Sequence, residues 1–227
     1  MKKIVVLSGA GVSAESGIKT FRDNGGLWEG FDVMDVATPE GWAKNQALVL
    51  DFYNQRRKQS HEVMPNEAHK ILAKLEDKYE VTIITQNVDN LHEKASSSNV
   101  IHLHGELFKS RSTIDENLVY EIEGWELKIG DNCELGSQLR PHIVWFGEMV
   151  PMMEIAYKIV QKADIFIVIG TSLVVYPAAS LVDYVSEKAE LYVIDPNLPH
   201  ISPRSHLHLI EKSATAGMKE ILNILMK

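Results

Sequence analysis

Six short apolar runs, most of them rich in β-branched residues, limit how this chain can fold more than any other feature. They are Ile4–Leu7, Val81–Ile84, Val100–Ile101, Ile165–Ile169, Leu191–Ile194 and Leu207–Ile210. Strands that are buried on both faces have this nearly continuous apolar pattern, and such strands are typical of parallel sheets. The runs therefore predict an α/β protein built on a parallel sheet.

Helical patterns lie between these runs. Asn66 is suited to cap a helix whose apolar positions follow at Ala68, Ile71, Leu72 and Leu75. Further helices are predicted over 155–163, 178–188 and 214–226. Because strands alternate with helices, the pattern predicts a doubly wound α/β sheet.

Two stretches interrupt the alternation. Thr38-Pro39 is a good helix start, and the following pattern predicts a helix over 42–58. Residues 118–129 alternate around Glu123-Gly124, which predicts a β-hairpin. We assign these stretches to a small inserted module. The predicted division gives the sheet domain residues 1–29, 70–107 and 140–227, and gives the module residues 30–69 and 108–139.

Composition excludes several classes of protein. The 227 residues carry a formal net charge of −8, which disfavours binding to nucleic acid. The single cysteine, Cys133, cannot form an internal disulfide or a four-cysteine zinc site. The apolar stretch 165–182 is interrupted at Gly170 and Pro177, so no membrane span is expected. The first residues are too short for a signal peptide, and we expect a soluble, cytoplasmic protein.

A glycine-rich segment, Gly9-Ala-Gly-Val-Ser-Ala14, follows the first predicted strand and opens a helical stretch. It satisfies the G-x-G-x-x-G/A pattern that brings backbone N–H groups close to a pyrophosphate. A tight strand-to-helix turn would look the same. The second strand and acidic residue of an ordinary dehydrogenase do not follow, because the chain continues into the polar segment 16–23.

Polar motifs follow three other predicted strands. Gln86, Asn87, Asp89 and Asn90 are more side chains than one helix cap needs, and they lie where α/β sheets bind ligands. His104 stands before a glycine at a strand end, which suits a general base, although a lone histidine is more often structural. Gly170-Thr-Ser172 suits phosphate or ribose and equally suits a helix cap.

Taken together and in this order, these motifs resemble the sirtuins, the NAD-dependent protein deacylases. The resemblance rests on residues 9–22, 85–89, 104–105, 140–148, 170–172 and 175–178. It extends over nearly the whole chain except about 108–139. It implies a Rossmann-type domain and a small module, with NAD and an acylated lysine bound between them.

The resemblance also implies roles for individual residues. His104 would be the general base, and Asn87 would take part in catalysis. Val144, Phe146 and Gly147 would bind substrate. NAD would be held by Gly9, Ala10, Gly11, Ser13, Ile18, Phe21, Arg22, Gln86, Asn87, Asp89, Gly170, Thr171, Ser172, Asp195, Asn197 and Ala214. Asp195 stands where the family often has asparagine, and its carboxylate can accept hydrogen bonds from ribose hydroxyls.

The implied reaction transfers the acyl group of a protein lysine to NAD and releases nicotinamide and O-acyl-ADP-ribose. Two alternatives stay open. Sirtuin relatives that lack zinc include protein mono-ADP-ribosyltransferases, and an NAD glycohydrolase would share the same cofactor site. A non-catalytic NAD-responsive binding module is a third class, which His104 and Asn87 disfavour because binding alone needs no base.

Tyr53 and Arg56 share one face of the predicted helix 42–58. From the residues alone, a solvated arginine on an amphipathic helix is the simpler interpretation. The resemblance reverses this, because Tyr-x-x-Arg at this place is similar to sirtuins that remove malonyl, succinyl or glutaryl groups. We therefore expect an acidic-acyl deacylase, with deacetylation weaker.

The sequence differs from the family pattern at the zinc-binding cysteines. Most sirtuins bind zinc with two cysteine pairs, whereas here Ser112 stands near one expected ligand position and only Cys133 remains. We expect no structural zinc. The apolar side chains of the predicted hairpin around Gly124 would replace it.

Overall fold

The computed structural model describes residues 1–19, 27–28 and 30–227, with the backbone only at Leu27. Six strands form one fully parallel sheet: β1 (Lys3–Ser8), β4 (Glu80–Thr85), β5 (Val100–His102), β9 (Ile165–Ile169), β10 (Glu190–Ile194) and β11 (Leu207–Ile210). Their order across the sheet is β11-β10-β9-β1-β4-β5. This is the doubly wound Rossmann order, and all six predicted strands are confirmed.

Alternate residues of the strands pack on opposite faces of the sheet. Ile4 and Val6 point to a core shared with helices α5 (Glu67–Lys74) and α8 (Ala214–Leu225). Val5 and Leu7 point to a second core under α7 (Met153–Val160) and a 3-10 helix over Ala178–Tyr184. Because both faces are covered, each strand needs apolar residues at successive positions, which is the pattern in the sequence.

The helices differ from the predictions mainly at their ends. Asn66 caps α5 by accepting a hydrogen bond from the Ala68 N–H at 2.9 Å, as predicted. The predicted helix 178–188 is a shorter 3-10 helix. Two short helices of the sheet domain are α1 (Ala10–Ala14) and α6 (Leu91–Lys94). The predicted helix 42–58 is wrong as a single element. It is divided into α3 (Pro39–Lys44) and α4 (Gln46–Glu62) because Asn45 caps the second helix.

A smaller module packs beside the sheet. It contains β2 (Leu27–Trp28), β3 (Phe31–Asp32), α2 (Val33–Val36), α3, α4 and a three-stranded antiparallel sheet. The strands of that sheet are β6 (Gly105–Ser112), β7 (Val119–Glu121) and β8 (Leu139–Ile143), in the order β7-β6-β8. Three elements, α5, β6 and β8, cross or meet the predicted domain boundaries.

The predicted hairpin around Gly124 is wrong. Strand β7 pairs with residues 109–111 of β6, and residues 125–129 form no strand. The backbone of this second half bonds to side chains of α4 instead. Asn54 accepts from the Leu127 N–H and donates to the Leu127 carbonyl, at 2.9 and 3.0 Å. A hairpin partner would compete for these same groups.

Among the described residues, no helix combines the length and the apolar character needed to cross a membrane.

Candidate functional site

The polar motifs of the sequence meet at the carboxyl edge of the large sheet, where β1 and β9 lie side by side. The chain leaves these two strands in opposite directions, so their ends define the crevice in which sheets of this order bind ligands. The loops after β1 and β9 are joined by backbone bonds. Gly9 N–H donates to Ile169 O at 3.0 Å, and Gly11 N–H donates to Gly170 O at 2.9 Å.

The glycines of these two loops are required by their mutual contact. A Cβ atom on Gly9 or Gly11 would lie 2.7 Å from atoms of Gly170 or Thr171. Gly170 has φ +62°, and a Cβ there would lie 2.3 Å from the Val12 nitrogen. The sequence predicted the glycines for their approach to phosphate, and their packing against each other is a second reason. Ala10, which begins α1, is partly exposed at the crevice.

A buried polar network connects the first loop to the loop after β4. Asn87 Nδ2 donates to Gly9 O and to Ser13 Oγ, both at 3.1 Å. Ser13 Oγ donates in turn to Asp89 Oδ2 at 3.0 Å. Burial raises the pKa of Asp89, while hydrogen bonds from Leu91 N–H and Ser13 oppose that shift. The network therefore fixes the orientation of Asn87 and Asp89.

Gln86, Thr171, Ser172 and Ile18 lie in or beside the same loops. Gln86 Nε2 donates to Thr171 Oγ1 at 3.1 Å, which joins the loops after β4 and β9, and Ser172 beside it is partly exposed. Ile18 is half-buried, and its N–H donates to Ser13 O at 3.3 Å. Phe21 and Arg22 lie outside the described residues.

The hydrogen bonding of His104 leaves one ring nitrogen able to accept a proton. Its Nδ1 donates to the Gln86 carbonyl at 3.0 Å, so the neutral ring carries its lone pair on Nε2. Burial lowers the pKa of His104, and the bond to Gln86 only partly offsets that shift. Neutral imidazole is therefore the dominant form at neutral pH, and Nε2 is able to accept a proton.

The other end of the crevice is formed by β10 and the start of α8. Asp195, directly after β10, is buried, and its Oδ1 accepts from the Asn197 N–H at 2.9 Å. The Asn197 side chain is exposed, and Ala214 is buried at the first position of α8. Glu15 caps this helix from the first loop, because its carboxylate accepts from Thr215 N–H at 2.8 Å.

The segment after β8 lies between His104 and the small module. Val144 N–H donates to His104 O at 2.9 Å, and Phe146 N–H donates to Ala37 O at 3.0 Å. The Phe146 side chain is 47% exposed, and Gly147 has φ +89°. The three predicted substrate residues of this segment therefore lie together, next to the base.

Sequence reasoning missed the pair of side chains that shapes this segment. Glu148 accepts from Arg140 Nη1 at 2.6 Å and from the Trp145 N–H at 2.8 Å. The Arg140 guanidinium also lies 3.3 Å from the centroid of the Trp145 ring. Arg140 lies in β8 and Glu148 in the loop that follows, and a separation of eight residues across a strand end would not have marked them as partners.

Tyr53 and Arg56 are both on α4, but their surroundings differ. Tyr53 is fully buried, and its hydroxyl accepts from Trp145 Nε1 at 3.1 Å. Burial raises the pKa of Tyr53, so the hydroxyl keeps its proton. Arg56 is partly exposed, with its guanidinium carbon 4.7 Å from the centroid of the Phe52 ring.

The neighbouring Arg57, for which the sequence suggested no role, is a structural residue. It is fully buried and donates to Trp125 O at 2.7 Å, to Leu107 O at 3.1 Å and to Asn54 Oδ1. Burial lowers the pKa of Arg57 to about 10. Arg57 thereby joins α4 to β6 and to the segment that was predicted as a hairpin.

Ser112, which the resemblance places near one expected zinc-ligand position, accepts a hydrogen bond from Cys133 Sγ at 3.3 Å. No group of three or more His, Cys, Asp or Glu side chains is arranged to hold a metal within the part of the chain that the structure describes.

Fold and site together define a Rossmann-type protein with a histidine that is able to accept a proton beside its ligand crevice. The chain matches the Sir2 family model over residues 9–177. Two curated relatives are named NAD-dependent protein deacylase. The one from Bacteroides thetaiotaomicron is 54% identical over 231 residues, covering 100% of this chain and 99% of the relative. The one from Helicobacter pylori is 56% identical over 222 residues, covering 98% and 96%.

A solved structure described as a Sir2 homolog–NAD complex superposes with a TM-score of 0.89 at 41% identity, covering 99% of this chain and 90% of that chain. The chain belongs to the Sir2 family. The predicted family and the predicted fold class are thereby confirmed.

Proposed function

We propose that this protein removes short acidic acyl groups, succinyl and malonyl, from protein lysines, and acetyl groups more slowly. The class of enzyme agrees with the sequence prediction: the chain is an NAD-dependent protein deacylase, with NAD as its cofactor. The observation that carries the proposal is the contact of Tyr53 on α4 with Trp145 of the substrate segment, next to Arg56.

The residues at the crevice fit NAD. Asp195 offers a buried carboxylate at a strand end, which suits ribose hydroxyls, and Ala10 and Gly11 are partly exposed. Asn87 and Asp89 are held rigid by bonds to the first loop. When bound, NAD supplies the ribose that receives the acyl group and the nicotinamide that leaves.

His104 would move the proton of this reaction. Its Nδ1 is engaged with Gln86 O, so Nε2 is the atom able to accept a proton from a ribose hydroxyl. Because the pKa of His104 is lowered, the ring is neutral at the pH at which it must act. Asn87 and Asp89 would orient the ribose, and the products would be nicotinamide and O-acyl-ADP-ribose.

Selection of an acidic acyl group would depend on α4. An arginine presents a planar fork of donors that matches a carboxylate, and it stays charged at all relevant pH values. Arg56 is partly exposed, whereas the adjacent Arg57 is used entirely inside the protein. The Tyr53 hydroxyl accepts from Trp145 and still has its own hydrogen to donate.

The decisive experiment compares succinyl-lysine and acetyl-lysine peptides in the presence of NAD, with mass spectrometry of the peptide and of the nicotinamide products. Arg56→Met should reduce kcat/KM on the succinyl peptide by about 100-fold and change it by less than about threefold on the acetyl peptide. The matched control is Lys58→Met, which removes an exposed cation from the same helix and should leave both rates unchanged. Equal losses on both peptides would remove Arg56 as the selector.

Other outcomes of the same assay identify other functions. Nicotinamide release with an intact peptide would indicate a mono-ADP-ribosyltransferase or an NAD glycohydrolase. NAD binding without turnover would indicate an NAD-responsive binding module. Acylated proteins are the substrates of the deacylase class to which the chain belongs. Three points stay predictions from the sequence: acylated lysine as the group bound, the absence of nucleic-acid or membrane partners, and a cytoplasmic location.

A further inference from the structure

His102 has contacts that the sequence did not suggest. It ends β5, two residues before the base His104, and its side chain is 7% exposed. Its Nδ1 lies 2.9 Å from the Asn87 carbonyl oxygen, and its Nε2 lies 2.7 Å from Glu93 Oε1. Both partners can only accept hydrogen bonds when Glu93 is ionised. Both ring nitrogens of His102 must therefore carry hydrogens, which makes the ring an imidazolium.

The two histidines hold consecutive residues of the same loop. His104 Nδ1 donates to the carbonyl of Gln86, and His102 Nδ1 donates to the carbonyl of Asn87. In the described part of the chain, no acidic side chain bonds to Nε2 of His104, whereas Glu93 bonds to Nε2 of His102. One histidine of the pair is thus suited to accept a proton, and the other is suited to keep one.

We propose that His102 is a positioning residue of this enzyme, an imidazolium that fixes the 86–89 loop so that Asn87 and Asp89 meet the nicotinamide ribose. This inference rests on the proposed function, because it assigns the loop to NAD. His102 touches neither cofactor nor substrate. It acts through the Asn87 carbonyl and through its charge.

The charges around His102 support this role. Burial disfavours the positive charge of His102. Three groups outweigh it and raise the pKa of His102 above 6.5: Glu93 through its hydrogen bond and charge, the Asn87 carbonyl, and the charge of Glu106. These groups come from α6, the loop after β4, and β6. The His102 charge also favours the ionised form of the buried Asp89. The ring of His92, on α6, is buried and its pKa is well below 6.5, so it adds no competing charge at neutral pH.

The direction of the pH dependence follows. A histidine whose pKa is raised keeps its proton to a higher pH than a free histidine does, and loses it as the pH rises through the native pKa. The neutral ring can donate only one hydrogen bond, so one contact, to Asn87 or to Glu93, is then lost. NAD affinity should therefore be constant in mildly acidic solution and decrease at alkaline pH.

The test measures His102 directly. Imidazole ¹⁵N spectra of the whole protein report the protonation of each ring nitrogen, and calorimetry reports the Kd for NAD from pH 6 to 9. We expect both His102 nitrogens to be protonated at pH 6, and we expect Kd to rise at least fivefold as the ring deprotonates. A His102 ring with one protonated nitrogen at pH 6 would overturn the proposal.

Glu93→Gln supplies the first variant, because it keeps an acceptor and removes the charge. It should move the titration of His102 and the rise in Kd together to lower pH, by about one unit, with Kd at the acidic end within twofold of wild type. His208→Gln is the matched control. His208 Nε2 lies 2.7 Å from Glu190 at the far edge of the sheet, so it repeats the histidine–glutamate contact away from the site. Equal pH profiles for Glu93→Gln and His208→Gln would contradict the proposal.

His102→Gln supplies the second variant, since glutamine can donate a hydrogen bond but carries no charge. We expect NAD binding about tenfold weaker at neutral pH and independent of pH. The acidic limb of the kcat–pH profile, which reports protonation of His104, should stay at the same pH. If this variant does not fold, Glu93→Gln still decides. Wild-type protein that binds NAD but leaves acyl peptides intact would refute the deacylase function alone, because the binding profiles test His102 independently.

Discussion

At the scale of single residues, His104 is the proposed base. The lowered pKa of His104 places its conversion to the inactive imidazolium below pH 6.5. With NAD saturating, we expect kcat/KM for an acyl peptide to be constant above this pKa and to fall tenfold per pH unit below it. His104→Ala should reduce kcat by about 10²- to 10⁴-fold with the Kd for NAD within threefold. An acidic limb that survives in His104→Ala would show that another group is the base.

Substitutions of the adjacent arginines Arg56 and Arg57 on α4 are predicted to differ in their effect on the free energy of unfolding. Arg57→Met removes the donor that Leu107 O and Trp125 O share, and one of the two donors to Asn54 Oδ1, so the free energy of unfolding should fall by about 2–4 kcal/mol. Arg56→Met should change it by less than about 1 kcal/mol. Urea unfolding of the two variants measures the difference, and equal losses would contradict the assignment.

Single residues also show what sequence reasoning can reach. The sequence could place Asn87, Asp89 and His104 together because they follow predicted strands, and the carboxyl ends of parallel strands meet at one edge. Arg57 and His102 were missed, because each acts on backbone carbonyls of distant segments. Nothing in the sequence distinguishes Arg56 from Arg57 except the helical position, and which face of α4 is buried depends on the small module.

At the scale of elements, α4 organises the small module. Asn54, Arg57 and His61 lie on one face of this helix and bind backbone groups at Gly124, Trp125 and Leu127. The strands of the large sheet were predictable because their apolar runs reflect burial on two faces. The hairpin was not, because its second half alternates like a strand while its backbone bonds to side chains of α4.

These contacts lead to a prediction about metal. We expect purified protein to contain less than about 0.1 zinc per chain, and we expect a chelator to shift its Tm by less than about 1 °C, because a bound structural zinc contributes folding free energy that chelation removes. Elemental analysis and a thermal scan test both points. One zinc per chain, or a large loss of stability with chelator, would contradict the prediction.

At the scale of the whole molecule, two buried histidines make stability depend on pH. His69 and His92 are fully buried with ring centroids 4.9 Å apart, and burial lowers the pKa of His69 to about 4 and the pKa of His92 well below 6.5. The unfolded chain takes up these protons below pH 6.5, whereas the native protein does not. Stability is therefore lost as the pH falls from 6.5 toward 4.

His69 alone should remove about 2 kcal/mol from the free energy of unfolding between pH 6.5 and pH 5. Urea unfolding at the two pH values measures this loss. His69→Gln should reduce the loss, whereas the exposed His200 provides a control, since His200→Gln should leave it unchanged. A wild-type stability equal at both pH values would refute the assignment.

The position of β1 has a consequence for how the protein is made. β1 lies in the middle of the large sheet, and its partner on one side, β9, comes about 160 residues later in the chain. At a synthesis rate of about 5–20 residues per second, the ribosome needs roughly ten to thirty seconds to supply it. Until then one edge of β1, with its apolar run Ile4–Leu7, has no partner in the growing polypeptide, and we expect a chaperone or temporary pairing to cover it during translation.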